Sequence, residues 1–131
     1  MMSTRTEALA AAFEVKVREA RATVERLGDA DWVKVTAAEQ WSVGVTAHHY
    51  AGVLEPISQM IEGLVAGQPG TLSITKIDEM NAAHAKEHAR CTKAETLAQL
   101  DRGVAMVVAT IRGLSDDQLS KSGTVLSDMP R

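Results

Sequence analysis

Aromatic residues are scarce in this 131-residue sequence, which contains one Phe, one Tyr and two Trp. Although 45% of the residues are hydrophobic, nearly all of these are aliphatic or sulfur-containing. A core of this kind suits close packing of helices better than a β-sandwich, because strands usually carry more aromatic side chains. No strand-like alternation of apolar and polar residues persists along the chain. The sequence therefore predicts an all-α protein.

Cysteines, blocks of like charge and long apolar runs are also lacking. Cys91 is the single cysteine, so an internal disulfide is excluded. The net charge is −3, and the basic residues form no block, which argues against a nucleic-acid partner. The longest near-continuous apolar run, residues 104–111, is too short to span a membrane. No signal peptide is recognisable at the N-terminus, so we expect a cytoplasmic protein with neither a nucleic-acid nor a membrane partner.

Apolar periodicity predicts four helices, at about residues 5–27, 43–66, 74–90 and 93–113. Residues 29–40 read as a connection with one helical turn, anchored by Trp32. A last short turn is capped by Ser115, and residues 120–131 look irregular. The short loops favour an antiparallel four-helix bundle formed by a single domain over residues 1–131.

Local signals mark the ends of these helices. Thr4–Glu7 and Thr92–Glu95 both fit capping boxes, and Gly28 fits the position just after the first helix. Pro56 lies inside the second helix, where its missing N–H leaves the Gly52 carbonyl without its helical partner. We therefore expect a kink at this point.

One candidate metal ligand, His49, lies on the second helix. Ser42 can cap this helix, and His49 then shares an apolar stripe with Val45 and Val53. His48 is turned roughly 100° away and is expected at the rim or the surface. A histidine on an apolar stripe must find a hydrogen-bond partner, titrate or bind a metal ion, so an ordinary core histidine remains the alternative.

Two further candidates, His84 and His88, lie four residues apart on the third helix and project from one side of it. Such a pair can hold one metal ion, although a chance pair at the surface is the alternative. Their motif differs from the zinc-protease pattern, because Glu87 adjoins the second histidine instead of the first. Cys91 precedes a helix N-terminus, where a thiol pKa can be lowered, but a buried lone cysteine is usually inert. The predicted metal ligands are His49, His84 and His88, and no catalytic or cofactor-binding residue is assigned.

Several motifs together resemble the DinB-like superfamily, which includes mycothiol-dependent maleylpyruvate isomerases and bacillithiol transferases. Trp41-Ser42-Val43-Gly44 followed by Ala47-His48-His49 is similar to the signature of its second helix. Further stretches that resemble the family in the same order are residues 77–85, 92–97 and 114–119. The resemblance extends from about residue 9 to residue 119.

The resemblance implies an up-down-down-up four-helix bundle with a divalent metal, often zinc or nickel, held by three histidines. One ligand comes eight residues after the tryptophan, which is His49 here, and two come from a His-x-x-x-His motif on the last bundle helix. That helix should begin near Asp128, so we expect it to be missing or supplied by a partner. His84 and His88 are not at family ligand positions and could replace the pair only if their helix packs towards His49.

Two functional hypotheses follow. In the first, the protein is a metal-dependent enzyme of the thiol S-transferase or isomerase type, using mycothiol or bacillithiol, or a degenerate relative of one. In the alternative, it is a non-catalytic helical binding or dimerisation module. A bundle without its fourth helix leaves an apolar groove, which would favour a homodimer or a domain swap and would also admit a small-molecule ligand.

Overall fold

The computed structural model describes residues 4–38, 40–68, 70 and 72–121. Its helices are α1 (Thr4–Arg26), α2 (Asp29–Trp32), α3 (Val43–Gly52), α4 (Leu54–Val65), α5 (Ile74–Glu87), α6 (Lys93–Arg112) and α7 (Asp116–Leu119). Within these residues there is no named strand, and an isolated bridge joins Val35 and Ser42. The predicted all-α class is confirmed. No helix in the described part of the chain is both long and apolar enough to cross a membrane.

The second predicted helix is divided into α3 and α4, with Val53 between them. This break adjoins Gly52, whose carbonyl oxygen has no helical hydrogen-bond donor because Pro56 lacks a backbone N–H. The predicted kink is therefore confirmed. Three predicted N-caps are confirmed as well: the side chains of Ser42, Thr92 and Ser115 accept hydrogen bonds from backbone N–H groups of the first turns of α3, α6 and α7.

Other predicted details are corrected. Thr4 is already helical in α1, and the carboxylate of Glu7 accepts hydrogen bonds from Arg112, 105 residues further along the chain. Gly28 occupies the predicted position just after α1, but its φ of −84° lies outside the left-handed region, and it is also the N-cap of α2. The third predicted helix corresponds to α5, which ends at Glu87, three residues before the predicted end at residue 90. Most of the predicted irregular tail, and the position expected for a last bundle helix, lie outside the described residues.

Helix α6 is the centre of the molecule and packs against α1 and against α3–α4. Arg21 near the end of α1 bonds to Asp101 in the first half of α6, and Glu7 near the start of α1 bonds to Arg112 at the end of α6. The two helices therefore run antiparallel. Leu54 lies beside Gly103, and Ser58 beside Thr110, so α4 and α6 run in the same direction. The buried core consists of Ala10, Val17, Ala51, Leu54, Leu100, Val107, Val108 and Ile111.

The long connection between α4 and α6 contains α5, whose main packing partner is α3. None of the 14 residues of α5 is buried. As predicted, Trp32 anchors the connection between α1 and α3, because its indole Nε1 donates a hydrogen bond to the Cys91 carbonyl oxygen (2.9 Å). Thus α5 lies on the outside of α3, with the segment that follows it tied to α2.

Candidate metal centre

Three histidines from two segments of the chain meet between α3 and α5. His48 comes from α3, His84 from the last turn of α5, and His88 from the residue that ends α5. Each offers one ligand nitrogen, and these nitrogens all lie within 4.8 Å of one another. The rings of His48 and His88 stack with centroids 4.2 Å apart, and those of His84 and His88 are 4.7 Å apart. The predicted convergence of His84 and His88 on one side of α5 is therefore confirmed.

Hydrogen bonding in this cluster is incomplete. His48 Nδ1 and His84 Nε2 lie 2.9 Å apart and share one hydrogen bond, whose donor depends on the tautomers. The other nitrogen of His84, Nδ1, is buried and has no hydrogen-bond partner among the described residues. A buried polar atom without a partner costs about 1–3 kcal/mol. The cluster therefore contains a donor or acceptor that its protein surroundings leave unsatisfied.

Burial keeps two of the rings uncharged at neutral pH. Burial, followed by the nearby charges of His48 and His88, lowers the pKa of His84 to about 4. Burial and the neighbouring His88 also lower the pKa of His48. A histidine binds metal through its neutral imidazole, so the same surroundings that disfavour protonation keep these nitrogens available as ligands.

The donor set and its geometry fit a divalent transition metal. Imidazole nitrogens suit zinc, nickel and copper, whereas calcium and magnesium prefer oxygen ligands. Zinc–nitrogen bonds of about 2.0–2.1 Å place the nitrogens of one tetrahedral centre about 3.3–3.4 Å apart. Small ring rotations would bring nitrogens that now lie within 4.8 Å to that spacing. The unsatisfied His84 Nδ1 shows in addition that this cluster is not a closed network of hydrogen bonds.

The prediction that His48 lies at the rim or surface is wrong: its side chain is 8% exposed, whereas His49 is half-buried. The predicted stripe followed the largest apolar residues of α3 and α4, but half of the buried residues of these two helices are small ones. Gly44, Ala51 and Ser58 lie on it, and His48 shares this face. Small residues let α6 and Trp32 approach closely, as at Gly44 and beside Ala51. The missed signal was the helical spacing of small residues.

The family model of the mycothiol maleylpyruvate isomerase N-terminal domain matches residues 13–131. The chain belongs to this family. The predicted membership of the DinB-like superfamily is thereby confirmed. No curated protein and no solved structure matches the chain.

In this member of the mycothiol maleylpyruvate isomerase N-terminal domain family, His49 lies beside the three-histidine cluster. Its ring makes edge-to-face contacts with Trp41 (centroids 5.4 Å apart) and with His84 (5.1 Å). The condition set by the sequence, that α5 packs its histidine face towards His49, is met. As metal ligands, His49, His84 and His88 all stay predictions, and His48 joins them as a fourth candidate.

Cys91 lies in the short segment between α5 and α6. Its side chain is buried, and burial raises the pKa of its thiol. A raised pKa disfavours the thiolate, which is the nucleophilic form. The alternative of an inert structural cysteine therefore describes Cys91 better than a reactive role does.

Proposed function

We propose that this protein binds one divalent transition-metal ion, zinc or nickel, through His48, His84 and His88. One observation carries the proposal: three imidazole ligand nitrogens lie within 4.8 Å of one another. The unsatisfied His84 Nδ1 and the lowered pKa values of His48 and His84 support it. In this site α5 supplies the His-x-x-x-His pair that the family resemblance assigns to the last bundle helix.

The activity that best fits this site is metal-dependent transfer or isomerisation with a low-molecular-weight thiol, mycothiol or bacillithiol, as cofactor. A bound divalent cation would lower the pKa of the thiol and polarise an electrophilic substrate. The imidazole rings of His48, His84 and His88 would hold the cation, and a three-histidine set leaves one coordination position open. Family membership supports this choice of chemistry. The reducing cytoplasm, where we expect the protein, would keep such a thiol reduced.

Metal binding is the first test. The chelator-treated protein is titrated with Zn²⁺ and Ni²⁺ by calorimetry, and the bound metal is counted by elemental analysis. We expect about one ion per chain, with affinity strongly reduced in His48→Ala, His84→Ala and His88→Ala. Asn81→Ala, a half-buried polar change on the same face of α5, is the matched control and should bind as the wild type does. Failure of the folded wild-type protein to bind metal would refute the site.

His49→Ala then separates the two candidate ligands on α3. If His49 is only a neighbouring ring, this variant keeps one ion per chain with a modest change in affinity. If His49 is the ligand instead of His48, His49→Ala should lose metal affinity strongly and His48→Ala should change it only modestly. Thiol transfer is assayed with mycothiol and with bacillithiol on small electrophiles, and the proposed activity requires that it depend on added metal and on His84.

A groove between α1 and α6 supports the alternative of a binding or dimerisation module. It has a volume of about 640 Å³, and it is lined by apolar residues such as Val17, Val104 and Val108 and by charged residues such as Arg21 and Asp101. If α1, α3–α4 and α6 are the first three helices of an up-down-down-up bundle, a fourth helix from a second copy would cover this groove in a homodimer. Sedimentation of the metal-free and metal-loaded protein tests this, since a monomer at all concentrations would exclude the dimer.

A further inference from the structure

Trp32 contacts both segments that carry the histidine cluster. On one side, its Nε1 donates a hydrogen bond to the carbonyl oxygen of Cys91, at 2.9 Å. The backbone N–H of Cys91 in turn donates to the carbonyl oxygen of His88, at 3.0 Å. The indole is therefore connected to the peptide of His88 through one residue.

On its other side, the indole lies directly against the backbone of α3 at Gly44. A Cβ placed on Gly44 would come within 2.8 Å of Trp32 Cδ1 and still closer to two other indole atoms. Real Cβ atoms do not approach so closely, so the contact requires glycine at this position. Gly44 and His48 are four residues apart on α3 and therefore lie on the same side of the helix.

We infer that Trp32 is a positioning residue that sets the distance between His48 and His88. The inference rests on the metal centre proposed above. The ring centroids of these two histidines are 4.2 Å apart, although α5 buries no residue that could fix its own position. The Gly44–Trp32–Cys91 contact, which we call the indole clamp, joins α3 to the turn after α5. It adds a second constraint to the hydrogen bond between His84 and His48, which also joins α5 to α3.

Filling the core is the competing role for Trp32, and the structure argues against it. None of the residues of α2 is buried, and Trp32 is not one of the core residues. The partly exposed indole donates a hydrogen bond to the carbonyl oxygen of Cys91 and lies against the backbone of α3 at Gly44, and we assign its main contribution to geometry. Outer-shell groups of this kind typically change metal affinity by about 10–100-fold when they are removed.

The test compares two Gly→Ala variants that create similar steric conflicts. Gly44→Ala would push the indole away from α3. Gly103→Ala is the matched control, because a Cβ at this position would lie 2.7 Å from Leu54 Cβ in the contact between α4 and α6. Both variants should lower the thermal midpoint. Only Gly44→Ala should weaken Zn²⁺ binding, by about 10-fold or more, and alter the visible spectrum of the Co²⁺-loaded protein.

Two further variants separate positioning from packing. Trp32→Phe keeps an aromatic ring but loses the bond to Cys91, and it should weaken Zn²⁺ binding with little loss of stability. The double variant Gly44→Ala/Trp32→Leu removes the steric conflict, so its stability should recover while its Zn²⁺ affinity stays low. Recovery of both together would show that Trp32 acts only through packing and would overturn the inference.

The outcomes keep this inference distinct from the proposed function. If the wild-type protein binds Zn²⁺ and the Gly44→Ala and Gly103→Ala variants bind it equally well, the indole clamp is refuted and the metal centre stands. If the folded wild-type protein binds no Zn²⁺ or Co²⁺, the metal centre fails, and the positioning role of Trp32 fails with it.

Discussion

The contact between α1 and α6 and the contact between α5 and α3 are built in opposite ways. Along α1 and α6, buried residues such as Val17, Leu100 and Val107 meet in the core, and ion pairs such as Arg21–Asp101 join the helices at the surface. Helix α5 buries no residue, yet it supplies His84 and leads directly to His88. The fold is therefore stabilised in one region, while the candidate chemistry lies in another.

This division has a thermodynamic consequence. Elements with little buried apolar surface open with a smaller free energy than the core does, and functional segments are commonly of this kind. In the metal-free protein a hydrogen bond between His84 and His48 joins α5 to α3, and α5 also carries the unsatisfied His84 Nδ1. We therefore expect α5 to open independently of the core formed by α1 and α6.

The largest difference between the core formed by α1 and α6 and the helix α5 is expected in the free energy of unfolding when one side chain in each is truncated. Leu100 is 1% exposed at the centre of the core, and Leu100→Ala should lower the free energy of unfolding by about 2–5 kcal/mol. Ile77 is half-buried on α5, so Ile77→Ala should lower it by less than about 1 kcal/mol. Urea denaturation followed by circular dichroism measures both values. Equal losses would show that α5 unfolds as part of the core.

Acid should affect the two regions in separate pH windows. The pKa of His84 is lowered by burial to about 4, and the charged groups facing it are His48, His88, His49 and Glu87. The unfolded chain therefore binds more protons at this site than the folded one, so docking of α5 should weaken as the pH falls from about 6.5 to about 4. Arg21 lowers the pKa of Asp101 below 3.8, so its ion pair weakens only in more acidic solution.

Amide chemical shifts of the metal-free protein, followed by NMR during an acid titration, test this order. Residues of α5 should move first, while those of α1 and α6 remain unchanged until the pH falls below about 4. His84→Gln is the control, because it removes the main titrating group and should flatten the response of α5 above pH 4. Simultaneous changes in all three helices would contradict the separation.

The sequence predicted the helices well because its signals are local. Caps such as Ser42 and Thr92, and the break caused by Pro56, depend only on residues within one or two turns. The buried face of α3 was assigned wrongly because it depends on packing between helices. Gly44 and Ala51 carry no hydrophobic signal, so the larger residues suggested a face that included His49. Only the contacts with Trp32 and α6 show that the small residues, and His48 with them, face inward.

The candidate site was therefore half predictable. The i,i+4 spacing of His84 and His88 places them together on any α-helix. Their meeting with His48 depends on how α5 crosses α3, and no residue pattern within α5 specifies that crossing. The role inferred for Trp32 is of the same type, since it depends on contacts 12 and 59 residues away along the chain.

The smallest expected effect compares two equivalent helix caps. Ser73 caps α5 by accepting a hydrogen bond from the Lys76 N–H (3.1 Å), and Thr92 caps α6 through the Glu95 N–H (3.1 Å). Replacing either cap by alanine costs its own helix about 1 kcal/mol. Because α6 belongs to the core, Thr92→Ala should lower the free energy of global unfolding by nearly that amount.

Ser73→Ala should leave global unfolding nearly unchanged, because α5 is already open before the core unfolds. Its cost should appear as faster hydrogen exchange confined to α5 and as Zn²⁺ binding weakened by about 5-fold, since roughly 1 kcal/mol of the binding energy is then spent on forming α5. Urea denaturation, exchange measured by mass spectrometry and calorimetry supply the three readouts. If Ser73→Ala and Thr92→Ala instead lowered global stability equally, α5 would be part of the cooperative core, and the contrast between the two regions would not hold.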